Sequence, residues 1–246
     1  MGANAETVRD AEPSPGKASL WEDFVDILYN PSSVFARRAS GQWGKPLLFM
    51  VIAAVILAFL TKNAMQPIMD AEFARRSAEM MRRNPNLTAE QLSSGRGFIE
   101  TLGPIFFGVV LTISILGTGL VLWLVGKLFD AKEAVAAALM IAVYSEVPRI
   151  VQIVVQTAQA LFMSPDSLNS VNSVALNLAR FMDPDRASPV AIALASRVDV
   201  FTIWVTVLLA IGLHVVGKVP KQQAGIAAAI IWLIGGLAAI LPALRA

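Results

Sequence analysis

Five polar side chains, Glu146, Arg149, Gln152, Gln156 and Gln159, recur at steps of 3, 3, 4 and 3 residues inside an otherwise apolar run from Ala134 to Met163. That spacing puts them on one side of a helix. Glu146 and Arg149 are placed for an intrahelical ion pair, and an ionisable residue at bilayer depth ordinarily faces a bundle interior or a water-filled cavity. Two roles follow. The face either lines a solvated pathway or partner-binding groove, or it is a neutralised pair that, with the glutamines, fixes how helices pack.

Other chemistry finds little support. Asp199 and His214 bracket a further apolar run, about 22 Å apart by the helical rise, too far to act on one atom. Asp199 reads as a first-turn acid set against the helix dipole, and His214 as a residue of the membrane interface. A single histidine without cysteine leaves no disulfide, iron–sulfur cluster, thiolate metal site or haem constellation. Paired-histidine zinc motifs, phosphate-cradling glycine loops and serine elbows are missing too. No catalytic residue, metal ligand or cofactor is expected, and a net charge of +2 with scattered arginines gives nucleic-acid binding no basis.

The elements that must position the polar face are membrane spans. A chain that is 56% hydrophobic and 15% charged exceeds what a soluble domain needs, and its apolar runs approach the roughly 20 residues that cross a bilayer. Five spans are expected, over 46–61, 103–126, 134–163, 198–216 and 224–244. The sequence thus predicts an all-α, polytopic integral membrane protein: a polar tail over 1–19, an amphipathic surface helix and linker over 20–45, and a five-helix transmembrane bundle over 46–246. The third span contains Pro148, which removes a backbone donor and predicts a kink or break near Ser145.

From Leu20 to Phe35, the apolar residues Trp21, Phe24, Ile27, Leu28 and Pro31 alternate with Glu22, Asp23 and Asp26. This pattern suits either a helix lying on the membrane surface and stopping at Asn30-Pro31 or one packed on the protein itself. The loop from Lys62 to Leu102 is expected to be helical, with one helix over Ile68 to Arg83 and a capping box at Thr88-Ala89-Glu90-Gln91 starting another. Asn86-Leu87-Thr88 is a glycosylation sequon, meaningful only in a eukaryotic secretory pathway. Small residues form two stripes, Gly108, Thr112, Gly119 and Gly126 on the second span and Gly225, Ala229, Gly236 and Ala243 on the fifth, where helices can approach closely, for packing within the chain ahead of a dimer seam. Cations over all loops are balanced, but the two tightest connections, Lys127 to Glu133 and Gly217 to Gln223, hold only lysine. The positive-inside rule then places the amino terminus inside and the carboxyl terminus outside.

Four pieces in order resemble the Yip family, the five-span Ypt-interacting membrane proteins: Val25-Asp26-Ile27-Leu28-Tyr29-Asn30-Pro31, Leu122-Trp123-Leu124-Val125-Gly126-Lys127-Leu128-Phe129, Tyr144-Ser145-Glu146-Val147-Pro148, and Val198-Asp199-Val200-Phe201-Thr202-Ile203-Trp204 with Leu208-Leu209-Ala210-Ile211-Gly212-Leu213. The resemblance runs from about Trp21 to the end and is nearest to prokaryotic members. It implies a five-helix bundle with a cytosolic amino terminus, an outside carboxyl terminus, a bacterial inner-membrane location and no catalysis. Eukaryotic members are associated with Rab-type GTPases, a partner the short amino-terminal tail here does not suggest. Two functions remain: a non-enzymatic scaffold that binds membrane lipids, other membrane proteins or itself, and a small transporter or channel along the third span's polar face. A transporter often shows repeated broken helices, whereas one span here is broken and five do not divide into equal halves.

Overall fold

A computed structural model of the chain describes residues 19–244. The polar tail expected over 1–19 lies, apart from Ser19, outside them. The described residues are all-α, with no strand. Ser19 opens the first helix, α1 (Leu20–Asp26): its hydroxyl accepts the Glu22 N–H at 3.2 Å, and its own N–H donates to the Glu22 carboxylate at 2.7 Å. A second helix, α2 (Pro31–Arg37), begins at the proline. The single surface helix expected here is therefore two, because proline disfavours helical backbone before it and suits the first turn of a new helix.

The next two helices are longer than the apolar runs that mark them. α3 (Gly44–Arg83) has 40 residues and α4 (Ala89–Lys127) has 39. Each is about 60 Å long, twice the hydrocarbon thickness. The separate loop helices expected over 68–83 and after Thr88 are instead continuous with these two. Pro67 and Pro104 lie inside the helices; each removes one donor, and Ala, Met, Glu and Arg from Met69 to Arg83 carry the helix onward. The Thr88 capping box is present, with Gln91 N–H donating to the Thr88 hydroxyl at 3.2 Å and Thr88 N–H to Gln91 Oε1 at 3.1 Å. Arg96 binds Asp70 across the hairpin and Glu100 at 2.6 Å. Arg75 reaches Asp185 at 2.8 Å and the Asn169 carbonyl at 2.9 Å.

α5 (Val135–Ser145) and α6 (Pro148–Phe162) form the broken span, interrupted where Pro148 predicts. Three single-turn 3-10 helices follow, Pro165–Ser167, Val171–Val174 and Leu178–Phe181, then α7 (Pro189–Arg197), a short helix that was not expected although Ser188 and Pro189 mark its start. α8 (Val200–Val215) and α9 (Lys221–Ala243) complete the chain. Four segments are long and apolar enough to cross a membrane: Gly44–Arg83, Glu90–Lys127, Val135–Phe162 and Lys221–Leu241. α8 is apolar but has 16 residues, about 24 Å.

The broken span is the centre of the bundle. Its apolar window is 56% buried against 17–22% for the other three, and every side chain from Ala137 to Ser145 is buried. Around it pack Phe24, Ile27, Val34, Met50, Ile115, Leu122, Leu208 and Leu213. Outward, Leu48, Ile52, Ile56 and Phe59 on α3, Val109, Val110 and Ile113 on α4, and Leu233 and Leu237 on α9 are exposed. An apolar surface of this extent requires lipid rather than water against it. The two connections α4–α5 and α8–α9 lie at one end, joined by Lys132 N–H donating to the Gly217 carbonyl at 2.9 Å. Gly41 (φ 80) packs on Ala136 there too, which brings the α2–α3 turn to the same end.

Glycines set the closest helix crossings. A Cβ on Gly119 would lie 3.0 Å from the Leu139 Cα, and one on Gly212 would lie 2.3 Å from Ile141 Cγ2, so α4 and α8 press on α5 from two sides. A Cβ on Gly108 would meet Val55 at 2.6 Å, and the Thr112 hydroxyl donates back to the Gly108 carbonyl at 2.8 Å. The α4 stripe thus serves packing within the chain. In the α9 stripe Gly236 lies under Arg197, whereas Gly225 meets nothing within 4 Å and Ala229 is exposed. Gly212→Leu should therefore cost about 1–3 kcal/mol of stability through overpacking, whereas Gly225→Leu should stay within about 0.5 kcal/mol of the parent. Thermal unfolding in detergent measures both; equal losses would contradict the packing described.

Candidate intramembrane polar site

Pro148 breaks the central span, and the break puts Glu146 at the end of α5 and Arg149 in the first turn of α6. The Arg149 guanidinium spreads over four acceptors. It lies 3.3 Å from Glu146 Oε2, donates to Gln152 Oε1 at 2.9 Å and Thr202 Oγ1 at 3.2 Å, and stands 3.8 Å from Asp199 Oδ1. A planar fork of five donors suits this better than any other side chain. The intrahelical pair expected from spacing is present, and it is one arm of a larger clasp to α8.

Asp199 caps α8. Its Oδ1 accepts the Thr202 N–H at 2.9 Å and the Thr202 hydroxyl at 3.2 Å, satisfying donors left free at a helix start. Backbone bonds from Leu178 N–H to the Val198 carbonyl and from Val200 N–H to the Leu176 carbonyl bind the α6–α7 connection to this cap. Asp199 is buried, and its Oδ2 has no hydrogen-bond partner among the described residues. Next to it, Arg197 closes α7 by donating to the Trp232 carbonyl at 2.8 Å and lying 5.5 Å over the Trp232 ring. α7 and α9 are joined by that contact.

The upper part of the polar face engages different partners. Gln159 donates to the Val174 carbonyl at 2.8 Å and accepts from Arg180 at 3.2 Å, and Gln156 lies half-buried between the two groups. The five polar residues are therefore split: Glu146 and Gln152 flank Arg149, which binds α8, and Gln159 holds the connection beyond it. His214 is remote from both and bonds the Val219 carbonyl through Nδ1 at 2.7 Å.

A second polar cluster escaped the sequence reading. Asp23, taken as part of the polar side of a surface helix, is fully buried. Its carboxylate binds Arg37 at 2.6 Å and Arg38 at 2.5 Å, and accepts the Tyr144 hydroxyl at 3.3 Å. Phe24 stacks on Tyr144 with ring centroids 5.5 Å apart, and Ile27 is fully buried. Of the residues expected on the membrane surface, Phe24 and Ile27 therefore turn into the core, Leu28 and Pro31 are half-buried, and Trp21 is 66% exposed. A signal for this was available in the Arg37-Arg38 doublet, one α2 length after the acids. Beside the cluster, the hydrogen bond from Arg37 holds the Asp26 carboxyl below the usual carboxylate range.

An all-α protein with four membrane-length apolar helices and charged groups paired between them is an integral membrane protein. The family model for the Yip1 domain matches residues 25–241, so the chain belongs to the Yip1 family, as its motifs indicated. Neither a curated protein nor a solved structure matches it.

Removing Arg149 leaves Glu146 and Asp199 without their cation at depth. Arg149→Met should cost about 3–5 kcal/mol, the usual result of breaking a buried pair. Glu146→Gln should cost less, because the guanidinium keeps Asp199, Gln152 and Thr202. Glu146→Leu/Arg149→Met should recover only part of the loss, since Asp199 remains uncompensated. Thermal unfolding of the three variants in detergent checks the order, and full recovery in the double variant would show that Asp199 does not depend on Arg149. Asp23→Ala should free the α1–α2 segment and speed proteolysis after Arg37 or Arg38; unchanged cleavage would mean the carboxylate does not anchor it.

Proposed function

We propose that this Yip1-family protein is a non-enzymatic scaffold of five spans in a bacterial inner membrane, binding lipids and other membrane proteins. The observation that carries the reading is the internal use of the polar face. Arg149 is occupied by Glu146, Gln152, Thr202 and Asp199, and Gln159 by Val174 and Arg180. Groups that must hydrate a solute are here spent on one another.

Counting α8 as a span gives a consistent five-span path. From the end shared by Gly41, Lys132 and Gly217, α3 leaves, α4 returns, α5–α6 leaves, α8 returns and α9 leaves. Lysine dominates the connections at that end, which favours the cytoplasmic side, with the carboxyl terminus outside. The outer halves of α3 and α4 stand beyond the bilayer and expose Met69, Met80, Met81, Phe98 and Ile99, an apolar set fit for a partner protein. Trp21 and Tyr29 are exposed near the inner end. The transporter reading keeps one point in its favour, the broken helix beside the unpartnered Asp199 Oδ2.

A reporter fused after Ala246 should be active outside and one inserted in Gly217 to Gln223 inside; the same side for both would end the five-span path. Purification in mild detergent should recover membrane proteins with the parent chain and lose them when Met80, Met81 and Phe98 are changed to Glu. Unchanged recovery would count against the outer hairpin as the scaffold's docking element.

A further inference from the structure

Most arginines pair with carboxylates, at the hairpin end and on α1–α2 alike, whereas the lysines of two loops do not. On the outer hairpin and the α6–α7 connection, Arg75, Arg82, Arg83, Arg96 and Arg186 each pair with a carboxylate, while Arg180 bonds Gln159 and Arg76 is exposed. At the opposite end, Lys132, Lys218 and Lys221 are exposed and have no carboxylate partner among the described residues. Lys127 is set apart from these three, because its ammonium donates to the Ala131 and Glu133 carbonyls at 2.8 and 2.9 Å.

The three free lysines are held together by the fold. Lys132 N–H donates to the Gly217 carbonyl, which clasps the α4–α5 loop to the α8–α9 loop, and Lys221 begins α9 directly after. Lys218 adopts φ 60, a left-handed conformation that a side chain bearing a Cβ rarely takes and glycine takes freely. A charged residue is kept where glycine is cheaper. Negative charge, meanwhile, is withdrawn from this surface. Glu133 is 4% exposed, its carboxylate oxygens point at Gly126 and Gly217 and have no hydrogen-bond partner, and burial pushes its pKa up. Asp23 and Asp26, on α1, are paired with Arg37 and Arg38. Asp130 is the one exposed acid on the two loops.

We propose that the α4–α5 and α8–α9 loops form a binding surface for anionic phospholipid headgroups, with Lys132, Lys218 and Lys221 as its phosphate-binding cations. Leu128, 76% exposed at the foot of the same loop, favours a bilayer surface over free phosphate, since it gains only where apolar chains are near. Each lysine close to an anionic leaflet contributes about a fivefold preference, and three clamped on one face act on the same headgroups. The site rests on the lipid-binding part of the scaffold reading and names its lipid class; the partner-protein part is tested separately through Met80, Met81 and Phe98.

The test uses the full chain in nanodiscs of mixed phosphatidylglycerol and phosphatidylcholine, with retained lipids weighed by native mass spectrometry. The parent protein should retain phosphatidylglycerol preferentially. Lys132→Gln/Lys218→Gln/Lys221→Gln should lose that preference by about fivefold per lysine removed, and Arg82→Gln/Arg83→Gln should keep it. Parental preference in the triple variant, or none in the parent, overturns the proposal. Lys218→Gly guards against a folding defect: it should be more stable than the parent in uncharged detergent, through relief of the positive φ, yet about fivefold less selective. Full selectivity in that stabilised variant counts against the site. Inorganic phosphate should neither stabilise the detergent-purified protein nor displace its lipid; if it does both, the surface takes free phosphate and the lipid assignment is wrong.

Discussion

The guanidinium of Arg149 holds the two halves of a broken helix to its neighbour inside a medium that cannot solvate charge. Pro148 forces the break, and the break leaves Glu146 at the end of α5 with Arg149 one turn on. An isolated charge at that depth costs several kcal/mol. Four acceptors within 3.8 Å, two of them on or capping α8, offset the cost. The position of α8, and through its Asp199 cap the path of the α6–α7 connection, follows from that clasp.

Lipid tails are as apolar as leucine, so burial alone does not draw membrane helices together. Close backbone approach does much of the work here, with Gly119 and Gly212 letting α4 and α8 reach α5. Polar anchors supply direction. Asp23 with Tyr144 pins the amino-terminal segment to the core, Arg197 with the Trp232 carbonyl joins α7 to α9, and Arg75 with Asp185 braces the outer hairpin. Two of these anchors join a short or irregular element to a long helix, and the first joins α1 to the broken central span.

What the sequence showed was whatever has a long period or a fixed local chemistry. The apolar runs, the Pro148 break, the Thr88 capping box and the order of family motifs were readable because each depends on neighbouring residues only. The lengths of α3 and α4 were not, since hydropathy falls where the bilayer ends while helix propensity continues past Pro67. Asp23 was misplaced for a related reason: an acid on a short amphipathic segment looks solvated until a tyrosine 121 positions on is brought against it. α7 and the 3-10 turns carry only short local caps, such as Ser188 with Pro189, and their place is fixed by distant bonds that those caps do not show. Within the polar face, the Glu146–Arg149 pair was visible in its spacing, but its cross-helix partners Asp199 and Thr202 are 50 residues or more away.

The chain has no cysteine, so one introduced thiol reports its own surroundings. If the polar face is a closed clasp, a cysteine at Gln152 in intact membranes should stay unmodified by a water-soluble, membrane-impermeant thiol reagent, while one at exposed Leu128 reacts fully once its side is open to the reagent. Fast labelling at Gln152, at a rate near that of Leu128, would show water standing along the face and would contradict the clasp.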